Sequence, residues 1–366
     1  MITKLEKLYD FLYPKKVLGF RIQPKELVEK INIICVVSKY LEFNILKEIL
    51  ESNNFKFIKE DQDFYSFKTY FSKNNEEGKR INIPVIYYFQ IIKERSLLLF
   101  FTTSNKYDVE QTLGKFIERA DGFYYSFLSP NLFEEIKNEI FKENPNTVIP
   151  YFTSIRKPHY KIECKIRPKE SRSFTYRGTD GRETLEELKY YYGMLPQVIH
   201  FKIPNVVDFK IDYKGIFTFQ DGDISYINHI IDKLTYLIAN SKRIIDKSKF
   251  EYEKITTQKK ELLILSSAPW SIMFDKPITF GEVDSIIEQL SKESRFKIIN
   301  SYAEVGSLFW SATVTDYQKN SIFNIRSNGN KIIISPRYNN SFDSFLRFYQ
   351  FFLENIKPNA TIEELQ

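Results

Sequence analysis

At 366 residues and 43.6 kDa, the chain has room for two or three ordinary domains, and its 43% apolar and 27% charged residues can build real cores. It contains no run of about 18 uncharged apolar residues, which argues against a membrane-spanning helix. Its charged start, Met1-Ile-Thr-Lys4-Leu-Glu6-Lys7, and its two cysteines, Cys35 and Cys164, lead us to expect a cytoplasmic protein without a signal peptide or disulfide framework.

In chain order, Ile33 to Val37 is a continuous apolar run and reads as a buried central strand. A helix follows, with Phe43, Leu46, Ile49 and Leu50 on one face. Extended runs then cover 55–58, 64–71, 81–92 and 97–102. A closing helix carries Val109, Leu113, Phe116 and Ile117, with Asn105 or Asp108 as its cap. A short helix with Leu132, Ile136 and Ile140 starts after Pro130.

The next segment, Arg156 to Arg182, holds nine basic and three acidic residues. Its net charge of +6 equals that of the whole chain, so the rest is balanced. Five of the nine are arginines, which suit bidentate phosphate contacts. Tyr160, Phe174 and Tyr176 lie among them and offer rings for base stacking. Residues 160–166 alternate as a strand with Lys161 and Lys165 on one face. In Ser171-Arg-Ser-Phe-Thr-Tyr-Arg177, one face takes Ser171, Ser173, Thr175 and Arg177, and the other takes Arg172, Phe174 and Tyr176. Gly178-Thr-Asp-Gly-Arg182 then leads into a helix over 184–192, where Asp180 is a cap or the glycines leave N–H groups for an anion.

Strands at 198–203, 206–211 and 216–219 precede a helix with Ile224, Ile227, Ile231, Leu234 and Ile238. Asp221 and Asp223 ahead of it read as caps. His229 and His200 read as packed or capping histidines, and Cys35 as a small buried hydrophobe. After a polar stretch over 242–260 come strands at 262–265, 296–301, 308–315, 321–325 and 331–335. A helix with Val283, Ile286, Ile287 and Leu290 interrupts them. Asn328-Gly329 marks a hairpin turn. The last helix presents Phe342, Phe345, Leu346, Tyr349, Phe352, Leu353 and Ile356 on one face.

A final strand, a polar turn and a closing helix thus recur three times at similar steps. We expect an α+β fold of three sheet-plus-helix units with mainly antiparallel strands: an N-terminal unit over 1–145, a central basic unit over 146–255 and a C-terminal unit over 256–366. A strand, a helix, a run of antiparallel strands and a closing helix resembles a half of the TATA-box-binding protein. The central unit departs from that order by opening with two extra strands.

Spacing removes the common enzyme solutions. No two glycines are separated by a single residue, as a dinucleotide fingerprint needs, and none are five apart as in a P-loop or four apart as in a nucleophile elbow. Three histidines and two distant cysteines do not make a zinc site. An acid-x-Lys pair at Asp208-Phe-Lys210, with Glu183 or Glu187 as a second carboxylate, is nuclease-like but lacks the proline-aspartate part. Glu163-Cys-Lys165 repeats the pattern without an upstream aspartate. The expectation is therefore a non-enzymatic nucleic-acid-binding protein, for DNA or RNA, with no cofactor or metal. Arg167, Lys169, Arg172, Arg177 and Arg182 would contact phosphates, and Phe174 or Tyr176 would stack on bases. A protein-interaction scaffold without nucleic acid is the alternative, and a metal-dependent nuclease the third reading.

Overall fold

The computed structural model describes residues 30–61, 64–74, 78–120, 122–157, 164–247, 250–256, 261–267, 269–292, 294–304, 308–338 and 342–364. The expected strand over 160–166 falls largely outside them. The fold is α+β with antiparallel sheets. The chain forms two compact units: residues up to Arg156 together with Glu163–Ala239, and Asn240 onward together with Lys157–Ile162. Among the described residues, no helix is long and apolar enough to cross a membrane.

The first unit is built on an eleven-stranded sheet. Its strands are β1 (Ile31–Ser38), β2 (Lys56–Asp61), β3 (Phe64–Asn74), β4 (Arg80–Ile92), β5 (Leu97–Thr102), β6 (Phe123–Tyr125), β7 (Val148–Arg156), β8 (Arg172–Arg177), β9 (Leu195–Ile203), β10 (Val207–Asp212) and β11 (Ile216–Gly222). They run in the order β2-β3-β4-β5-β1-β11-β10-β9-β7-β8, and β6 also pairs with β1. The apolar run of β1 is buried along its whole length, as its sequence requires of a central strand. Its pairing with β11 joins the first and central sequence segments, so the expected boundary near residue 145 lies within one continuous sheet.

Register explains both faces of this sheet. Phe101, Ile33, Phe217, Ile211, Ile199, Phe152 and Tyr176 face one another across seven strands. All but Tyr176 are buried. The helix Gly181–Tyr192 sits on this side, with Gly181 against Tyr176, and the helix Pro130–Glu143 and the first-unit part of the helix Ile224–Lys247 go with it. They are tied together by the ion pairs Lys137–Glu186, Lys189–Glu134 and Lys233–Glu139. On the other face, Ile34, Val36, Leu98 and Phe100 pack with Leu46 and Leu50 of the helix Phe43–Ser52. Val109, Leu113, Phe116 and Ile117 join the same cluster. They come from a helix that runs from Lys106–Val109 through a π-helical turn, Glu110–Gly114, into Lys115–Arg119, with Asn105 as its side-chain cap. These two helices cover only the β1–β5 half of that face.

Gly215 closes the turn between β10 and β11 at φ +74°. A Cβ there would lie 2.4 Å from the Ser126 carbonyl oxygen. Gly215→Ala should therefore cost about 1–3 kcal/mol in backbone strain alone, and more from the overlap, which urea unfolding would measure.

The second unit carries β12 (Phe250–Thr256) and β13 (Glu261–Ser267) as a two-stranded sheet. A six-stranded sheet follows, made of β14 (Trp270–Met273), β15 (Phe296–Ala303), β16 (Trp310–Asp316), β17 (Ser321–Ser327), β18 (Lys331–Tyr338) and β19 (Thr361–Glu364). Its order is β15-β16-β17-β18-β14-β19. Gly329, at φ +92°, makes the β17–β18 turn expected from Asn328-Gly329. The helices Phe280–Lys292 and Phe342–Asn355 pack on one sheet face around Trp270, Trp310, Phe296, Phe323, Phe348 and Phe352.

Candidate functional site

One residue along every strand from the buried row lies a second row: Thr102, Asn32, Thr218, Lys210, His200, Tyr151 and Arg177. The pleat sends it to the opposite face. Among the described residues of the first unit, no helix covers this face from β11 to β8 beyond Lys106, where one of the two covering helices begins; we refer to it as the helix-free face. Thr218 Oγ1 donates to Asn32 Oδ1 at 2.8 Å, and Asn32 Nδ2 donates to the Ser104 carbonyl at 2.7 Å. The row is thereby locked to the centre of the sheet.

Two cations bracket one ring in this row. The Arg177 guanidinium lies 5.8 Å from the Tyr151 ring centre and the Lys210 ammonium 4.9 Å from it. Among the described residues, neither has a carboxylate within ion-pair distance. They line a cavity of about 510 Å³ with Lys106, Pro150, Val198, Asp212, Ile216 and Thr218. Lys106, which starts the π-bulged helix, donates to Asp212 Oδ2 at 3.0 Å. Asp212 is buried, and its other oxygen accepts from the Lys214 and Ile216 backbone N–H groups.

Electrostatics fit an anion site. Partial burial lowers the Lys210 pKa, and the positive charges of Lys30, Arg177 and Lys106 lower it further against the pull of Asp208. Burial also works against the Lys106 ammonium, but the Asp212 carboxylate outweighs it and raises that pKa. Lys202 extends the same face and is exposed. His200 bonds Asp208 at 2.5 Å, so this histidine sits in a polar pair rather than the apolar packing expected of it.

The structure does not gather the seven sequence-selected residues on one surface. Arg177 points to the helix-free face, while Arg172, Phe174 and Tyr176 alternate to the other. The Tyr176 ring stacks on Phe152 with centres 5.0 Å apart. Its hydroxyl bonds Asp180, which lowers the Asp180 pKa. Phe174 stays exposed on the edge strand β8. Arg172 lies over the Tyr192 ring at 4.8 Å and Arg182 over Phe141 at 4.2 Å. Arg167 and Lys169 are exposed in the loop before β8. Arg156 is buried and donates to the Pro168 and Gly193 carbonyls, so one of the nine basic groups holds that loop in place.

The nuclease-like set does not converge. Asp208 and Lys210 belong to the helix-free face, whereas Glu183 and Glu187 ride on the helix Gly181–Tyr192 beside Tyr176. Asp223 caps the following helix by accepting from the Ser225 N–H, as expected. His229 is exposed, not packed. Its ring lies within 4.8 Å of Glu139 and Glu143 carboxylate oxygens, a set able to hold a cation. Lys233 and Tyr226 already bond those carboxylates. Cys35 is fully buried, and burial pushes its thiol pKa up, in keeping with a packing role.

Residues 131–214 match a family model described as a family middle domain. The chain is 26% identical over 348 residues to a protein of Archaeoglobus fulgidus that carries the name Uncharacterized protein, covering 93% of this chain and 92% of that one. The family-model span contains Tyr151, Arg177, His200, Lys210 and Asp212.

Proposed function

We propose that the chain is a non-enzymatic nucleic-acid-binding protein of the cytoplasm, and that it binds through the helix-free face of β8, β7, β9, β10 and β11. One observation carries this reading. Arg177 and Lys210, without carboxylate partners among the described residues, converge on a cavity on this sheet face, beside the segment that holds the chain's whole excess charge. Like charges held together at the cost of a lowered lysine pKa are stabilised by an arriving anion. An antiparallel sheet face of polar and basic side chains offers a broad surface to a phosphate backbone. Arg167 and Lys169 are exposed in the loop before β8, which Arg156 and the Tyr191 carbonyl hold at the end of the helix Gly181–Tyr192, apart from this face.

Five cations serve this face: Lys30, Lys106, Arg177, Lys202 and Lys210. With about five phosphate contacts, log affinity for duplex DNA should fall linearly with log salt at a slope of roughly −4 to −5, and less steeply for single strands. Fluorescence anisotropy across a salt series measures it. Absence of binding near 50 mM salt would favour the protein-scaffold reading instead.

A further inference from the structure

We infer that the cavity between Lys106, Tyr151, Arg177 and Lys210 receives a phosphomonoester: the terminal phosphate of a nucleic-acid strand or of a free mononucleotide. The inference rests on the nucleic-acid reading above and names which part of the ligand this site takes.

Charge balance comes first. Lys106 is matched by Asp212 at 3.0 Å and Glu110 at 4.0 Å, which leaves Arg177 and Lys210 as the two lining cations with no carboxylate at ion-pair distance among the described residues, Asp208 acting on Lys210 only from further away. An internal phosphodiester carries a single negative charge and would leave one cation unmatched. A phosphomonoester carries about 1.5 to 2 negative charges at neutral pH and offers three acceptor oxygens. Arginine's fork and the point charge of lysine are the usual pair of partners for such a group.

Shape and lining come second. At about 510 Å³ the space is a pocket of ligand size. Pro150, Val198 and Ile216 supply apolar wall beside the charged groups, and the Tyr151 ring lies between the two unpaired cations. An apolar wall next to a phosphate subsite suits the sugar and base that follow a terminal phosphate. A continuous backbone would have to leave such a pocket on both sides.

Position comes third. Asp212 fixes Lys106 while its own carboxylate is held by two backbone N–H groups, so Lys106 is placed before any ligand arrives. Placement of this kind reduces the ordering cost of binding.

The test compares the intact chain's affinity for one oligonucleotide bearing a 5′-phosphate, a 3′-phosphate or hydroxyls at both ends, with AMP as competitor. We expect at least one phosphorylated form to bind about tenfold tighter or more than the hydroxyl form. Arg177→Gln and Lys210→Gln should each abolish that preference while residual binding persists. Arg177 lies on the edge strand, so the first variant keeps its fold even if the half-buried Lys210 does not tolerate change. Equal affinity for all three forms overturns this inference and leaves the nucleic-acid reading standing. AMP binding that Arg177→Gln removes, with no oligonucleotide binding, keeps the phosphomonoester site but overturns the nucleic-acid reading. Binding of neither overturns both.

Discussion

Replacing Asp316 with Ala should destabilise the C-terminal unit by about 3–5 kcal/mol, as removal of one partner from a buried ion pair does. Asp316 is fully buried at the end of β16. One carboxylate oxygen accepts from Arg295 Nε at 2.9 Å, from Arg295 Nη2 at 2.7 Å and from the Ser344 hydroxyl at 2.8 Å. The other accepts from the Gln318 N–H at 3.0 Å, which shapes the turn into β17. One side chain thus ties the residue before β15, the β16–β17 turn and the start of the last helix. Its loss removes two hydrogen bonds and an ion pair from the guanidinium of Arg295, itself only 12% exposed. Ser344→Ala removes the hydroxyl's hydrogen bond to Asp316 while keeping the ion pair, and should cost only about 1 kcal/mol. Hydrogen exchange of the β15 and β16 amides reads both changes. Similar small effects in the two variants would contradict this account.

The double variant Arg177→Ala with Lys210→Ala should weaken nucleic-acid binding about a hundredfold at roughly 50 mM salt, because each lost phosphate contact removes about one decade there. The salt slope should flatten by about two units. The pH dependence has a definite sign. Lys210 loses its proton at a lower pH than the ordinary lysine value of 10.5, and a bound phosphate favours the charged form. Affinity should therefore fall as pH rises through that lowered value, and the fall should vanish in Lys210→Ala. Substituting Tyr176 is a useful contrast. Its ring is stacked on Phe152 and its hydroxyl bonds Asp180, so Tyr176→Ala should lower stability while leaving the salt slope unchanged.

Local features of the fold were legible because local physics sets them. The continuous apolar run of β1, the Asn105 cap, the Asn328-Gly329 turn and the aromatic stripe of the last helix all occur where the residues place them. The joining of the first and central segments was not legible. It depends on β1 pairing with β11, whose partners Asn32 and Thr218 stand far apart in the chain, and no local pattern reports such a pairing. The site shows the same division. Alternation in Val207-Asp-Phe-Lys-Ile-Asp212 is a local pattern that sets Lys210 opposite Val207, Phe209 and Ile211. That β9 lies between β7 and β10, aligning Lys210 with His200, Tyr151 and Arg177, is a matter of sheet order alone. The charge excess of residues 156–182 mixes three roles. Arg156 clamps a loop, Arg172 and Arg182 lie over aromatic rings, and Arg177 reaches the helix-free face.

The proposed nucleic-acid face is tested most directly by ultraviolet crosslinking of an oligonucleotide to the intact chain, followed by identification of the crosslinked peptides. This account predicts crosslinks in β7, β9 and β10, with Tyr151 foremost and His200 next, all reduced by competing salt. Crosslinks confined to Phe174, Tyr190 or Tyr191, with none on β9 or β10, would place the ligand away from the helix-free face and contradict the account.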